Sequence, residues 1–92
     1  MNKKELVEII AKKSGKSQSL INDVLSTTLE TIMESVGDGE VVRLVGFGSF
    51  ESVTRGARTG RNPKTNEVME IPPRVMPRFR AGSPFKDALM KS

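Results

Sequence analysis

Between Val53 and Met76 the chain reads VTRGARTGRNPKTNEVMEIPPRVM, and this stretch constrains everything around it. It is too polar and too rich in Gly and Pro to bury itself, yet too regular for a random linker. Arginines recur at a spacing of three, at Arg55, Arg58 and Arg61; Lys64 follows, and no acid appears before Glu67. Val68, Met69 and Ile71 suit a strand, and Gly60-Arg61-Asn62-Pro63-Lys64-Thr65-Asn66 is a turn signal. The pattern predicts a two-stranded ribbon that leaves the body of the protein and folds back at Pro63. A limb of about ten residues at ~3.3 Å each reaches roughly 30 Å. A lone ribbon of this kind is at best marginally stable in water, so something else must hold it.

Outside the ribbon little is left to build a core. The chain has 92 residues, enough for one domain, and a domain this small buries a modest share of its surface. Cysteine and histidine are both absent. No disulfide can supply the missing stability, and a metal site is not expected, so an obligate oligomer is. The lack of cysteine fits a reducing compartment. The start MNKKELVEII is basic, but Glu8 interrupts its apolar run, so it does not read as a signal peptide. No stretch is apolar enough to suggest a membrane span.

Charge is segregated along the chain. No Lys or Arg lies between Lys16 and Arg43, an interval that holds Asp23, Glu30, Glu34, Asp38 and Glu40. From Ser52 to Lys86 there are eight basic residues and two acidic ones. The net charge of +4 therefore understates a cationic second half beside an acidic first half. Such segregation is the electrostatic footprint of a nucleic-acid binder, and phosphate is the natural partner for the ribbon. A solvated basic face is the bland alternative.

Asn2 with Glu5 three residues on makes a capping-box pattern, and Leu6, Ile9 and Ile10 follow at helical spacing up to Gly15. Ser17 can cap a second helix whose apolar positions are Leu20, Ile21, Val24, Leu25, Leu29, Ile32, Met33 and Val36. Gly37-Asp38-Gly39 stops it. Val41–Val45 reads as a strand and Gly46–Phe50 as a tight reversal, with Glu51–Thr54 opening the strand that becomes the ribbon. After the break at Pro72-Pro73, Val75–Arg80 reads as a third strand with Phe79 inward and Arg78 and Arg80 outward. Ser83 is expected to cap a final short helix, with Pro84 in its first position and Phe85, Ala88 and Leu89 on its apolar side.

Several function classes fit poorly. The outer face of the second helix carries Asn22, Asp23, Ser26, Thr27, Glu30 and Glu34 and no Lys or Arg, unlike a groove-reading helix. That helix is read instead as the dimer seam. Gly46 and Gly48 lack the third glycine of a dinucleotide loop, because Glu51 stands there, and no Walker lysine follows. All four phenylalanines lie outside the ribbon, so aromatic platforms for single strands are not interleaved with the cations. The acids are scattered over helix faces and no catalytic constellation stands out, so an enzyme is not expected.

MNKKELVEIIA, LVGFGSFE, RTGRNPKTNE and PRFRAGSPFKDAL together resemble the HU family of bacterial histone-like DNA-binding proteins, with the related integration host factor subunits. The resemblance covers nearly the whole chain, and GFGSF followed by GRNPKT is its specific part. It implies an α+β fold over residues 1–92: a helical dimerisation base (1–39), then a small antiparallel sheet, a protruding arm (about 53–76) and a C-terminal helix (40–92). It further implies an intertwined dimer, most simply of identical subunits, with a paralogue as alternative partner. Phe47, Phe50 and Phe79 match the family's aromatic cluster, and Leu29, Ile32, Val36 and Leu44 join them as expected dimer core.

By the same resemblance the arms embrace double-stranded DNA from the minor-groove side, with Pro63 wedged between base pairs. The residues carried over are Arg55, Arg58, Arg61, Asn62, Pro63, Lys64 and Arg74 on the arm, Arg80 and Lys86 on the body, and Lys3. Largely sequence-independent bending and compaction in the cytoplasmic nucleoid is the implied function, with bent, nicked or gapped DNA preferred. A sequence-specific bender of the integration host factor type is the alternative. No cofactor, metal, membrane or small-molecule substrate is expected. The chain departs from residues common in the family at Val53, at Val75-Met76, at Ser83 and at Pro84.

Overall fold

A computed structural model describes residues 1–56, 58–71 and 73–90, without the side chains of Arg58 and Ile71. The chain divides into two compact units, residues 1–34 and residues 35–92. The expected break at Pro72-Pro73 falls partly outside the described residues.

The first unit is helical. Helix α1 spans Lys3–Ser14. The Asn2 side chain accepts from the Glu5 backbone N–H at 2.9 Å, satisfying one of the donors a helix start leaves free. Gly15 closes α1 in the left-handed conformation (φ 72°), with its N–H donating to the Ala11 carbonyl. Helix α2 spans Gln18–Gly37 and is capped by Ser17, whose Oγ accepts from the Leu20 N–H at 3.1 Å. Its last turn belongs to the second unit, where the Glu40 and Asp38 N–H groups donate to the Ser35 carbonyl.

The second unit is built on a three-stranded antiparallel sheet of β1 (Val42–Leu44), β2 (Gly48–Arg55) and β5 (Arg74–Ala81), in the order β1-β2-β5. Strands β3 (Arg58–Arg61) and β4 (Val68–Ile71) form a separate two-stranded ladder between β2 and β5 in sequence. Helix α3 (Ser83–Met90) ends the described chain. The α+β architecture with its extended hairpin is the one expected from the sequence.

Boundaries differ from expectation: β1 is shorter than Val41–Val45, and β5 runs one residue beyond Val75–Arg80 at each end. The reversal is shorter than Gly46–Phe50: Val45, Gly46 and Phe47 make the turn, closed by the Phe47 N–H to the Leu44 carbonyl at 2.9 Å. Gly46 takes φ 83° there, so three residues suffice and Gly48 is already in β2. In α3, Ser83 is the first helical residue rather than the cap. The Gly82 carbonyl accepts the first helical bond, from Lys86 at 3.1 Å, which makes Gly82 the cap and moves Pro84 to the second position.

Val7 and Ala11 are the buried apolar side chains of the described residues. Residues expected to be core are not covered in the single chain. Leu29 and Leu44 are exposed, and Ile32 and Val36 are half-buried. Phe79 nevertheless lies at the centre of an aromatic group, with ring centroids 4.9 Å from Phe50, 5.3 Å from Phe47 and 5.9 Å from Phe85. These tilted contacts are the favoured geometry for aromatic pairs. A Cβ on Gly48 would stand 2.6 Å from the Phe79 ring and 2.5 Å from the Arg80 carbonyl oxygen, so the ring's seat requires glycine.

Candidate nucleic-acid interface

Strand alternation sorts the three-stranded sheet into two faces, because directly paired residues share a face. One face carries Val42 with Phe50 and Phe79, Leu44 with Gly48 and Ala81, and Thr54 with Val75. The other carries, row by row, Arg43 with Ser49 and Arg80, Glu51 with Arg78, Val53 with Met76, and Arg55 with Arg74. The first is apolar and the second is a field of arginines. Arg80 is 66% exposed and Arg78 is 49% exposed, so both guanidiniums reach solvent while the Glu51 side chain, at 19%, lies down among them.

Glu51 is the anion of this face. Its Oε1 accepts from Arg78 Nε at 2.9 Å and from Nη2 of the same side chain, and Arg80 Nε stands 3.9 Å away. The hydrogen bond from Arg78 holds the carboxyl below its ordinary range; burial opposes it, and the charges of Arg78, Arg80 and Arg43 each add a lesser lowering.

The arm grows from this sheet without a change of register. Arg55 pairs with Arg74 in the three-stranded sheet, and Arg58 pairs with Ile71 in the two-stranded ladder, with two residues on each limb between them. The ladder ends where Arg61 pairs with Val68. Asn62 then closes the tip: its N–H donates to the Glu67 carbonyl at 2.9 Å, and its carbonyl accepts from the Asn66 N–H at 2.7 Å. Pro63, Lys64 and Thr65 form the turn itself and are exposed.

The expected site residues distribute as follows. Arg55, Arg74 and Arg80 share the arginine face, and Arg61, Asn62, Pro63 and Lys64 sit together at the arm's end. Arg58 has its backbone in β3, but its side chain lies outside the described residues. Lys86 lies in α3. Lys3 belongs to the helical unit, where its ammonium donates to Ser26 Oγ at 2.7 Å. Arg43 and Arg78 join the face although the sequence reading had not placed them in the site. The signal for them is pairing: Phe50 opposite Phe79 sets Arg78 beside Glu51, and Val42 opposite Phe50 sets Arg43 beside Ser49. Among the described residues, no group of three or more His, Cys, Asp or Glu side chains could hold a metal ion, and no helix is long and apolar enough to cross a membrane.

Known proteins share this arrangement. The profile of the family described as bacterial DNA-binding protein matches residues 1–90. DNA-binding protein HU of Nostoc sp. is 54% identical over 87 residues, covering 95% of this chain and 93% of that protein. DNA-binding protein HU of Clostridium pasteurianum is 45% identical over 91 residues, covering 99% and 100%. The HU chain of the Anabaena HU–DNA cocrystal structure superposes with a TM-score of 0.87 at 53% identity, over 97% of each chain. Matched over nearly its whole length in profile, sequence and fold, the chain belongs to the bacterial DNA-binding protein family, alongside the HU proteins.

Proposed function

We propose that this protein is an architectural, largely sequence-independent binder of double-stranded DNA that bends and compacts it in the nucleoid. One observation carries the proposal. The exposed arginine face continues in unbroken register into an arm whose end presents Pro63. A cationic face attracts phosphate and releases counterions, whatever the sequence. A proline at the end of an arm supplies an apolar wedge that carries no N–H into the base stack. Wedge insertion between base steps from the minor groove is an established device of architectural proteins, this family among them.

The working unit is a dimer of identical subunits. Leu20, Val24, Leu29, Met33, Phe47 and Phe79 are all exposed in the single chain, far more apolar surface than a stable monomer of this size leaves in water. No chemistry beyond binding is assigned. The relatives are named HU, which favours shape over sequence as the feature read.

DNA already bent, nicked or gapped should be preferred. Unstacking a base step costs a few kcal/mol, and smooth bending by 40–90° costs about 1–6 kcal/mol. Discontinuous DNA needs less of both. The test is a salt titration of binding to two duplexes of equal length and scrambled sequence, one intact and one gapped. Tighter binding to the gapped duplex, with a steep salt dependence on both, is expected. Equal and weak binding to both, alongside tight binding to one selected sequence, would overturn the proposal in favour of a sequence-specific bender.

A further inference from the structure

Asn62 has a larger share of the tip's bonding than any groove contact would require. Besides its two backbone bonds, its Oδ1 accepts from the Lys64 backbone N–H at 2.9 Å. That bond spans Pro63 and makes an Asx turn around it. Asn62 is half-buried in a tip whose next four residues, Pro63 to Asn66, are exposed.

The bond removes the freedom that proline itself leaves. The ring already fixes φ of Pro63, and it restricts Asn62 before it to extended conformations. What remains is rotation about ψ of Pro63 and about the Asn62 side chain. A bond from Asn62 Oδ1 to the Lys64 N–H ties down both. On the far side of the turn, Asn66 takes the left-handed conformation (φ 59°), which asparagine tolerates better than most residues, and its Oδ1 receives Arg61 Nη1 at 3.4 Å.

We infer that Asn62 is a positioning residue for the wedge: its side-chain oxygen sets the direction of Pro63 in the free protein, before DNA arrives. The inference rests on the wedge reading of Pro63. A tip ordered in advance does not have to be ordered during binding, and pre-organisation strengthens an interaction by that route. The amide oxygen is engaged by the Lys64 N–H, so Asn62 acts on Pro63 through the turn.

Asn62→Ala, Asn62→Asp and Pro63→Ala in the full chain test this with two readouts. The first is the order parameter of the Lys64 and Asn66 amides in the free protein. The second is the bend angle of an intact duplex at saturating protein, read by fluorescence transfer between its ends. Asn62→Ala is expected to drop the tip amides from a rigid value of about 0.85 to below about 0.6, and to reduce the bend to that of Pro63→Ala. Asn62→Asp keeps the acceptor, so it should retain the ordered tip and the full bend while its added negative charge weakens Kd.

An ordered tip in Asn62→Ala would overturn the inference. So would a weakened Kd of Asn62→Ala with its saturated bend intact, the mark of a simple contact with DNA. If Asn62→Ala bends DNA like the parent while Pro63→Ala does not, the wedge stands and the positioning role falls. If Pro63→Ala itself bends DNA like the parent, the wedge reading fails and takes the inference with it.

Discussion

Glu51 and Arg78 face each other across the β2–β5 ladder, and one carboxylate oxygen of Glu51 takes two hydrogen bonds from the Arg78 guanidinium. The acid therefore competes with phosphate for a cation on the DNA-facing side proposed here. Glu51→Gln should bind duplex DNA several-fold more tightly at fixed salt. It should also steepen the fall of log K with log salt by up to ~0.9 for each subunit of the proposed dimer, the increment of one phosphate contact. Binding isotherms at three or more salt concentrations measure both, and an unchanged slope would remove Arg78 from the interface.

The same pair gives a pH signature. The Glu51 carboxyl is held below its ordinary value in the folded chain, so the unfolded chain takes up its proton first as acid is added. The stabilisation is full above the ordinary value of 4.5 and is lost as pH falls from there through the lowered folded-state value. Urea melts of the parent and of Glu51→Gln between neutral pH and about pH 3 should differ by an amount that shrinks across that window.

Val53 and Met76 interrupt the arginine face between the Glu51–Arg78 and Arg55–Arg74 rows. Val53→Arg would fill that gap with a cation between the Arg55–Arg74 row and the Glu51–Arg78 pair. A salt slope steeper by ~0.9 per subunit of the proposed dimer is expected, with the bend at saturation unchanged, because the added contact is to phosphate and lies away from the proposed wedge. Arg74→Ala should change the slope by a similar amount in the opposite sense.

Gly48→Ala places a methyl group where the Phe79 ring and the Arg80 carbonyl stand. Overpacking of this kind costs about 1–3 kcal/mol. Because Phe79 also joins Phe47, Phe50 and Phe85, the loss should appear as a lower Tm together with altered aromatic side-chain resonances for that cluster.

Dilution should lower the Tm of the parent protein. Folding and association are one equilibrium when the folded state is a dimer, so the midpoint follows total protein concentration. Melts over a hundredfold range of concentration measure this, and a constant midpoint would favour a stable monomer.

Local signals in the chain were enough for the helices and the arm. Asn2, Gly15 and Ser17 act on the backbone within a few residues of themselves, and their hydrogen bonds lie where capping chemistry places them. The turn at Pro63 is local in the same sense. What escaped depends on partners distant in sequence. Arg43 and Arg78 acquire a shared face only through pairing to β2, and Glu51 acquires its arginines the same way. The cap of α3 escaped for a smaller reason: Ser83 and Gly82 are both acceptable caps, and the bond from Lys86 to the Gly82 carbonyl decides between them. The uncovered phenylalanines were foreseeable from the short chain, since a domain this small has little interior of its own to cover them.

The shared register of the sheet and the arm makes arm length a quantity that changes in steps. Adding one residue to a single limb would break the matched count across the ladder and have to be absorbed as a bulge, which bends and twists the arm beyond it. Adding two residues to both limbs would preserve every facing and lengthen the arm by about 7 Å. Paired insertions would thus fit the arm to a longer or shorter reach, while an odd, one-sided insertion would misdirect the proposed wedge even though the strands still paired.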